Sequence, residues 1–339
     1  MKLVSFINNN EERLGLFNDS KVYDFQNSGK ELNVSLPSTM AMFLNQFEVL
    51  YKQAVKVDEA IKSGKIKSGF DKDKIKLLAP VPHPTSCRDG YAFRQHVATA
   101  RRNRGVEMIP EFDQYPVFYM TNHNTIYGEG DIVVEKDHLE KLDFELEASI
   151  VIGKKGKNIE AKDADSYVAG YMIMNDLSAR VLQMEEMKLN LGPAKGKDFA
   201  TVIGPWLVTT EELEKYKIET PAGNKYDLHM TAFHNGKQIS AGNMKDMDWT
   251  FAELIERASY GVELYPGDII GSGTVGTGGY LELNGTHAIE AKAQGKEFTP
   301  VWLKEGDIIE LEIAGLGKLK NKIVKSSKDY SILAKKKNV

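Results

Sequence analysis

Several things are scarce in this chain, and each scarcity narrows what it can be. Among 339 residues there is one cysteine, Cys87, so no intrachain disulfide and no cysteine-built zinc or iron–sulfur site can form. A lone thiol needs no oxidising compartment, which points to a reducing cytoplasm. No apolar run approaches the eighteen or so residues of a membrane-spanning helix. The opening stretch Met1–Ile7 breaks at once into Asn8-Asn9-Asn10-Glu11-Glu12-Arg13. It is too short for a signal-peptide core and has no small-residue cleavage site. A cytoplasmic protein without membrane contact is expected. One-signed charge is also scarce: 44 Lys and Arg against 48 Asp and Glu leave a net charge of -4. A phosphate-tracking protein needs a basic excess or stripe, so nucleic-acid binding is not expected.

What is present describes an ordinary globular chain, 42% hydrophobic and 27% charged, able to bury a sizeable core. Leu3–Ile7, Leu14–Phe17 and Lys21–Phe25 read as a small β-meander. Ser38–Ile61 follows with helical spacing, Ser38 standing as N-cap. The lysine-rich stretch Lys62–Lys76 then reads as a linker. The expected division is a small β-rich unit with a helix over 1–76 and a larger unit over 77–339. In the larger unit strand-like runs dominate: Phe144–Ile152, Ala169–Met174, Val202–Val208, Leu228–Phe233, Ile269–Gly271, Tyr280–Leu283 and Ile308–Ile313. Asn235-Gly236 marks a hairpin. Helices are few, near Gln95–Arg102, Leu177–Met187 and Phe251–Ser259. This mixture argues for a β-rich α+β fold, not a repeating βαβ array.

The chemistry-bearing residues fall in patches. In Leu142-Asp-Phe-Glu-Leu-Glu-Ala148, strand alternation puts Glu145 and Glu147 on one face, ~6.5–7 Å apart. A solvent-facing acidic strand would alternate the same way. The continuation Ser149-Ile-Val-Ile-Gly153 looks buried on both faces, and carboxylates beside it repel unless a cation lies between them. Metal ligation is the better reading. Asp176 ends an apolar run and could equally cap the helix from Leu177. Arg180 and Gln183 share a helix face. The loop Leu191–Thr201 has glycines that could turn Lys197 inward, although a loop lysine is usually solvated. His96 follows Arg88-Asp-Gly-Tyr-Ala-Phe-Arg-Gln95 and suits a general base, or a hydrogen-bonded structural role. Cys87 reads as a small buried residue. Gly271-Ser-Gly-Thr-Val-Gly276 matches the dinucleotide fingerprint in form, but a strand follows and no βαβ unit surrounds it. Glu282 sits between two apolar residues on an expected strand. Trp206, Trp249 and Trp302 read as core.

In this order the patches resemble the fumarylacetoacetate hydrolase family, from about Leu77 to the C-terminus. The resemblance implies a mixed β-sandwich roll as catalytic domain, a small β-rich N-terminal domain, and a homodimer. It implies one divalent cation on Asp89, Glu145, Glu147 and Asp176, with Lys197 and Thr201 close by. Four oxygen donors suit Mg²⁺, Ca²⁺ or Mn²⁺ and disfavour zinc. A keto or diketo acid would be the small-molecule substrate. His96 matches a water-activating base held by Glu282, and Lys197, Gln183 and Arg180 match groups that stabilise developing negative charge. Tyr91, Tyr119 and Thr274 match substrate contacts. An arginine for the substrate carboxylate falls at Arg101, Arg102 or Arg104, and an aromatic position of the family falls near Met187.

The resulting expectation is a metal-dependent hydrolase cleaving a carbon–carbon bond of a β-diketone acid. Fumarylacetoacetate, from tyrosine or related aromatic breakdown, is the lead substrate. His96 and Glu282 at the hydrolase positions favour that branch. The alternatives are a 2-oxo acid decarboxylase, isomerase or acylpyruvate hydrolase of the same family, and, more distantly, a non-catalytic metal-binding module.

Overall fold

Strand ends converging on one point organise the fold seen in the computed structural model, which describes residues 1–337. The last two positions of the expected second unit lie outside the described residues. A long mixed sheet runs through the molecule. Its centre is ordered Lys2–Asn8, Thr201–Val208, Val168–Asp176, Leu146–Ile152, Ile269–Gly271, Cys87–Gly90 and Phe118–Thr121. A five-stranded sheet lies against it, built from Lys237–Asn243, His229–His234, Ile308–Ile313, Gly317–Lys325 and Gly130–Val134. Leu146, Ala148, Ile150 and Ile152 from the first sheet and Met230, Ala232, Leu311 and Ile323 from the second fill the space between. Val151, Met172, Met174 and Ile203 cover the opposite face and pack with Phe43, Leu50, Ala54 and Val57 of the N-terminal helices. The central strands are therefore apolar on both faces, as double burial requires. The fold is α+β and β-rich.

The N-terminal meander forms as expected, from Lys2–Asn8, Glu11–Asn18 and Lys21–Asp24. Its first strand also pairs with the larger unit, Leu3 opposite Leu207, so the sheet continues across residue 76. The lysine-rich stretch is not bare linker. Phe70–Asp71 pairs with Lys21–Val22, and Lys76–Leu77 pairs with Phe6–Ile7. The expected single helix Ser38–Ile61 is two, Met40–Leu44 and Phe47–Lys62, and the capping side chain is Thr39 rather than Ser38. A helix at Phe25–Glu31, capped by Asp24, was not expected.

Farther along, Asn235 and Gly236 take positive φ of 50° and 80° and join two paired strands, as the hairpin reading required. Arg94–Asn103 and Phe251–Ser259 are helices. Asp176 closes its strand instead of capping a helix, which starts later, at Arg180. Tyr280–Leu283 is the largest departure. It opens the helix Tyr280–Ala293, because Asp143, from a distant part of the chain, accepts the first-turn amides of Tyr280 (2.6 Å) and Leu281 (2.9 Å). No helix among the described residues is long and apolar enough to cross a membrane.

Candidate active site

Register places the acids. Asp89 lies opposite Gly271 on parallel strands, Ser149 opposite Gly271 on the next pair, and Asp176 opposite Thr201. Asp89, Glu147, Asp176 and Thr201 thus sit near the ends of neighbouring strands. Glu145 lies one residue before its strand begins at Leu146, yet its carboxylate still joins the others. One oxygen from each of Asp89, Glu145, Glu147 and Asp176 lies within 4.8 Å of the rest, and all four residues are buried. The Gly271-Ser-Gly273 segment makes this convergence possible. A Cβ on Gly271 would stand 2.5 Å from Asp89 Oδ1 and 3.0 Å from Glu147 Oε2. Gly273, at φ +78°, donates its N–H to Asp89 Oδ1 (3.2 Å) and Glu147 Oε2 (3.1 Å).

Two buried cations answer part of this charge. Lys197 Nζ donates to Asp176 Oδ2 at 2.5 Å and also to Glu145. Arg180 donates to Glu145 Oε1 (2.6 Å), to Asp143 Oδ2 (2.9 Å) and to Gln183 Oε1 (2.9 Å), leaving Gln183 Nε2 for a ligand. Burial pushes Glu145 up, but Lys197 and Arg180 outweigh it and hold the carboxyl well below the usual range. Burial, reinforced by the charge of Asp176, pushes Asp89 up to about 8. Burial and the neighbouring Asp89 raise Glu147 as well. Asp176 is also held above its ordinary value, because its burial outweighs Lys197. For Lys197, burial is overcome by Asp176 and Glu145, so the amine stays protonated, and an ammonium has no lone pair to ligate a metal.

The residues fit a divalent ion. The donors are hard oxygens, and two buried oxygens, Asp176 Oδ1 and Thr201 Oγ1, have no hydrogen-bond partner among the described residues.

Beside the carboxylates, His96 Nδ1 and Glu282 Oε2 are 2.7 Å apart, and the Thr277 amide donates to the same Glu282 oxygen (3.0 Å). An Nδ1–H donated to Glu282 leaves the Nε2 lone pair free, the tautomer a proton acceptor needs. His96 comes from the Arg94–Asn103 helix and Glu282 from the first turn of Tyr280–Ala293, and Asn103 Nδ2 ties the two helices by donating to Glu282 O (3.0 Å).

A cavity of about 670 Å³ joins the two groups. Tyr91, His96, Tyr119, Gln183, Lys197 and Thr274 line it, and Tyr119 donates its hydroxyl to Asp176. Of the three candidate arginines, Arg104 lines the cavity. Arg101 is turned to the Glu107 carbonyl and Arg102 to Thr286 (3.4 Å). Met187 lines the wall too. Trp302, expected in the core, packs partly buried against it and also faces the cavity.

Two functional positions escaped the sequence reading. Asp143 is fully buried and binds Arg180 and the start of the Tyr280 helix together. Its place in the motif with Glu145 and Glu147 was the available signal. Glu186 accepts the amides of Ala194 (2.9 Å), Lys195 (2.6 Å) and Gly196 (3.3 Å), folding the loop that turns Lys197 inward.

Comparison with known proteins identifies the family of the chain. The fumarylacetoacetate (FAA) hydrolase C-terminal family matches residues 85–324. The chain is 31% identical over 325 residues to oxaloacetate tautomerase YisK of Bacillus subtilis, covering 91% of this chain and 94% of the relative. It is 30% identical to the mitochondrial oxaloacetate tautomerase Fahd2a of Rattus norvegicus, covering 86% and 81%. Among solved structures it resembles maleylpyruvate hydrolase from Sphingobium sp. SYK-6 in complex with manganese(II) and pyruvate. The TM-score is 0.66, with 20% identity, 96% of this chain and 100% of that one. The chain belongs to the fumarylacetoacetate hydrolase family.

Proposed function

We propose that this chain is a divalent-metal-dependent enzyme of 2-oxo acids, with keto–enol tautomerisation of an oxaloacetate-like acid as its primary reaction. The observation that carries the reading is the opening of the buried carboxylate cluster and the His96–Glu282 pair onto one cavity. The likeness to two oxaloacetate tautomerases over most of the chain supports this above fumarylacetoacetate cleavage.

Asp89, Glu145, Glu147 and Asp176 would hold the ion, with Thr201 Oγ1 beside them. When bound, a divalent ion supplies Lewis acidity that draws electron density from the 2-oxo group and acidifies the adjacent C–H. Lys197 and Arg180 keep Glu145 ionised. His96 Nε2 removes a proton from the carbon next to the oxo group and returns it to the oxo oxygen, or runs the same transfer in reverse. Glu282 fixes the tautomer and stabilises the imidazolium between the two transfers. Gln183 Nε2 and Thr274, which line the cavity, would hold the enol or keto oxygen, and Arg104 would take a carboxylate. One proton moves between carbon and oxygen, with nothing else gained or lost.

The same histidine pair equally supports a second reading, hydrolytic C–C cleavage of a β-diketo acid, in which it would activate water. Loss of the enol absorbance of oxaloacetate, with Mg²⁺ or Mn²⁺ and with a chelator, separates the two. Fumarylacetoacetate and the release of fumarate, pyruvate and CO₂ are followed in parallel. Metal-dependent enol loss without matching pyruvate or CO₂ supports tautomerisation. Cleavage of fumarylacetoacetate with no effect on oxaloacetate would refute it.

A further inference from the structure

The helix that carries Glu282 is also held by residues outside the cavity. Its first residue, Tyr280, gives its amide to Asp143, sets its ring edge-on to Phe144 at 5.2 Å, and shares a hydrogen bond between its hydroxyl and His234 Nδ1 at 2.5 Å. His234 ends the strand His229–His234 of the second sheet. Its Nε2 lies 2.9 Å from Asp307 Oδ2, and Asp307 is itself fixed by the Lys304 amide (2.8 Å) and by Asn235 Nδ2 (2.9 Å). Tyr280, His234 and Asp307 all stand outside the cavity lining.

The hydrogens of this chain of contacts run one way. Burial, with the charges of Asp143 and Asp307, holds the Tyr280 hydroxyl well above the ordinary phenol range, so it stays protonated and donates. His234 then accepts at Nδ1 and carries its own hydrogen at Nε2, facing the Asp307 carboxylate. Two residues of a helix stand about 200° apart around its axis, so Tyr280 and Glu282 leave the first turn on opposite sides. One reaches the second sheet, and the other reaches His96 at 2.7 Å. The local chain does little to set this turn. Gly278 and Gly279 precede it, and Asn284, Gly285 and Thr286 follow, all of them poor helix formers. The tether at Tyr280 therefore bears, together with Asp143, on where the Glu282 carboxylate stands, and that carboxylate selects the Nδ1–H tautomer of His96.

We propose that Tyr280, held by the His234–Asp307 pair, is a positioning residue for the His96–Glu282 pair. It touches no substrate and moves no proton of the reaction, but keeps Glu282 where it fixes the His96 tautomer. The proposal rests on the reading of His96 as the base and deepens it.

Three substitutions in the full chain test it. Tyr280→Phe removes the hydroxyl and keeps the ring and the amide. His234→Leu removes the acceptor, and His234→Asn puts an amide oxygen where Nδ1 stood. With Mg²⁺ present, kcat for loss of the oxaloacetate enol is expected to fall about three- to tenfold in the first two, with KM held within about twofold because the cavity lining is unaltered. The losses should not add in the double variant Tyr280→Phe/His234→Leu, and His234→Asn should recover most of the rate. A second measurement needs no turnover. Long-range ¹H–¹⁵N spectra of histidine-labelled protein show which ring nitrogen carries hydrogen, and His96 is identified among the seven imidazoles by its absence from His96→Ala. In Tyr280→Phe, His96 should pass from the Nδ1–H form to a mixture with Nε2–H. A purely structural tether would lower Tm and leave both kcat and the tautomer unchanged. An unchanged kcat, losses that add, no recovery in His234→Asn, or a His96 that keeps the Nδ1–H form in Tyr280→Phe overturns the positioning role. If the unaltered chain leaves oxaloacetate untouched, the reading of the reaction falls, and the tautomer alone decides the role of Tyr280.

Discussion

Metal binding should stabilise this protein by an amount that grows with pH, and the charges of the site say why. Five buried carboxylates, Asp89, Asp143, Glu145, Glu147 and Asp176, face two buried cations, Lys197 and Arg180. One divalent ion removes two of the three excess negative charges, and the third belongs to Asp143, which two helix amides already hold. Without the ion, Asp89 is pushed up to about 8 and Glu147 is also raised. An unfolded aspartate titrates near ~3.9. A raised carboxyl pKa favours the protonated fold, so its contribution is complete below about pH 4 and disappears as pH rises through about 8. The metal-free protein should therefore lose stability across that window, and metal should restore it. At a metal concentration a thousand times Kd the gain is about 4 kcal/mol. For a chain of this length that is roughly 6 °C in Tm. Thermal melts at pH 5.5 and 8, with chelator and with millimolar Mg²⁺, Mn²⁺ or Ca²⁺, measure it. A shift of the same size at both pH values, or none at pH 8 with any of the three ions, would refute the reasoning.

Three further outcomes are expected. His96→Ala should lower kcat about 10²–10⁴-fold with little change in Tm, and a variant keeping full turnover of every 2-oxo acid would remove His96 as the base. Asp143→Asn leaves Arg180 with a neutral partner and turns an amide toward helix N–H donors, so about 3–5 kcal/mol should be lost. Tm should then fall by roughly 4–7 °C, and an unchanged melt would deny Asp143 its place at the joint. Thr250→Ala, which breaks the reciprocal cap with Glu253, should cost about 1–2 kcal/mol and leave activity unaltered, since Thr250 stands outside the cavity lining.

Glu145 and Glu147 of the carboxylate cluster stood out in the sequence beside an apolar run that is easy to see, whereas Asp89, on the short Cys87–Gly90 strand, joined them only through the family resemblance. Val168–Asp176 and Leu146–Ile152 are apolar on both faces, and the acids at their borders stand out against that background. Glu282 was assigned to a strand for an equally local reason: Tyr280-Leu-Glu-Leu283 alternates. The helix there begins with Asn284, Gly285 and Thr286 among its first residues, all poor helix formers. What starts it is Asp143, a cap 137 residues away that no local pattern displays. The lysine-rich stretch hid its two short strands in the same manner. Two residues cannot show a period, and their partners Lys21–Val22 and Phe6–Ile7 lie far back in the chain.

The sequence reading used His96 and Glu282 to favour hydrolysis, yet the pair serves either chemistry, so its presence cannot choose between them. Its strength can. Hydrolysis asks His96 to deprotonate water, a very weak acid, while tautomerisation asks it to accept a proton already acidified by the adjacent oxo group. The harder transfer leans more on the carboxylate that stabilises the imidazolium. In hydrolytic triads, neutralising the equivalent acid costs about 10⁴-fold. Glu282→Gln should therefore cost about tenfold in enol turnover and at least a hundredfold in any C–C cleavage the protein performs. Steady-state rates of both reactions on one preparation give the ratio directly, so variation in folding or metal content cancels. Equal losses would mean that His96 performs the same proton transfer in both, and that the choice between them is made by whether water can reach the substrate.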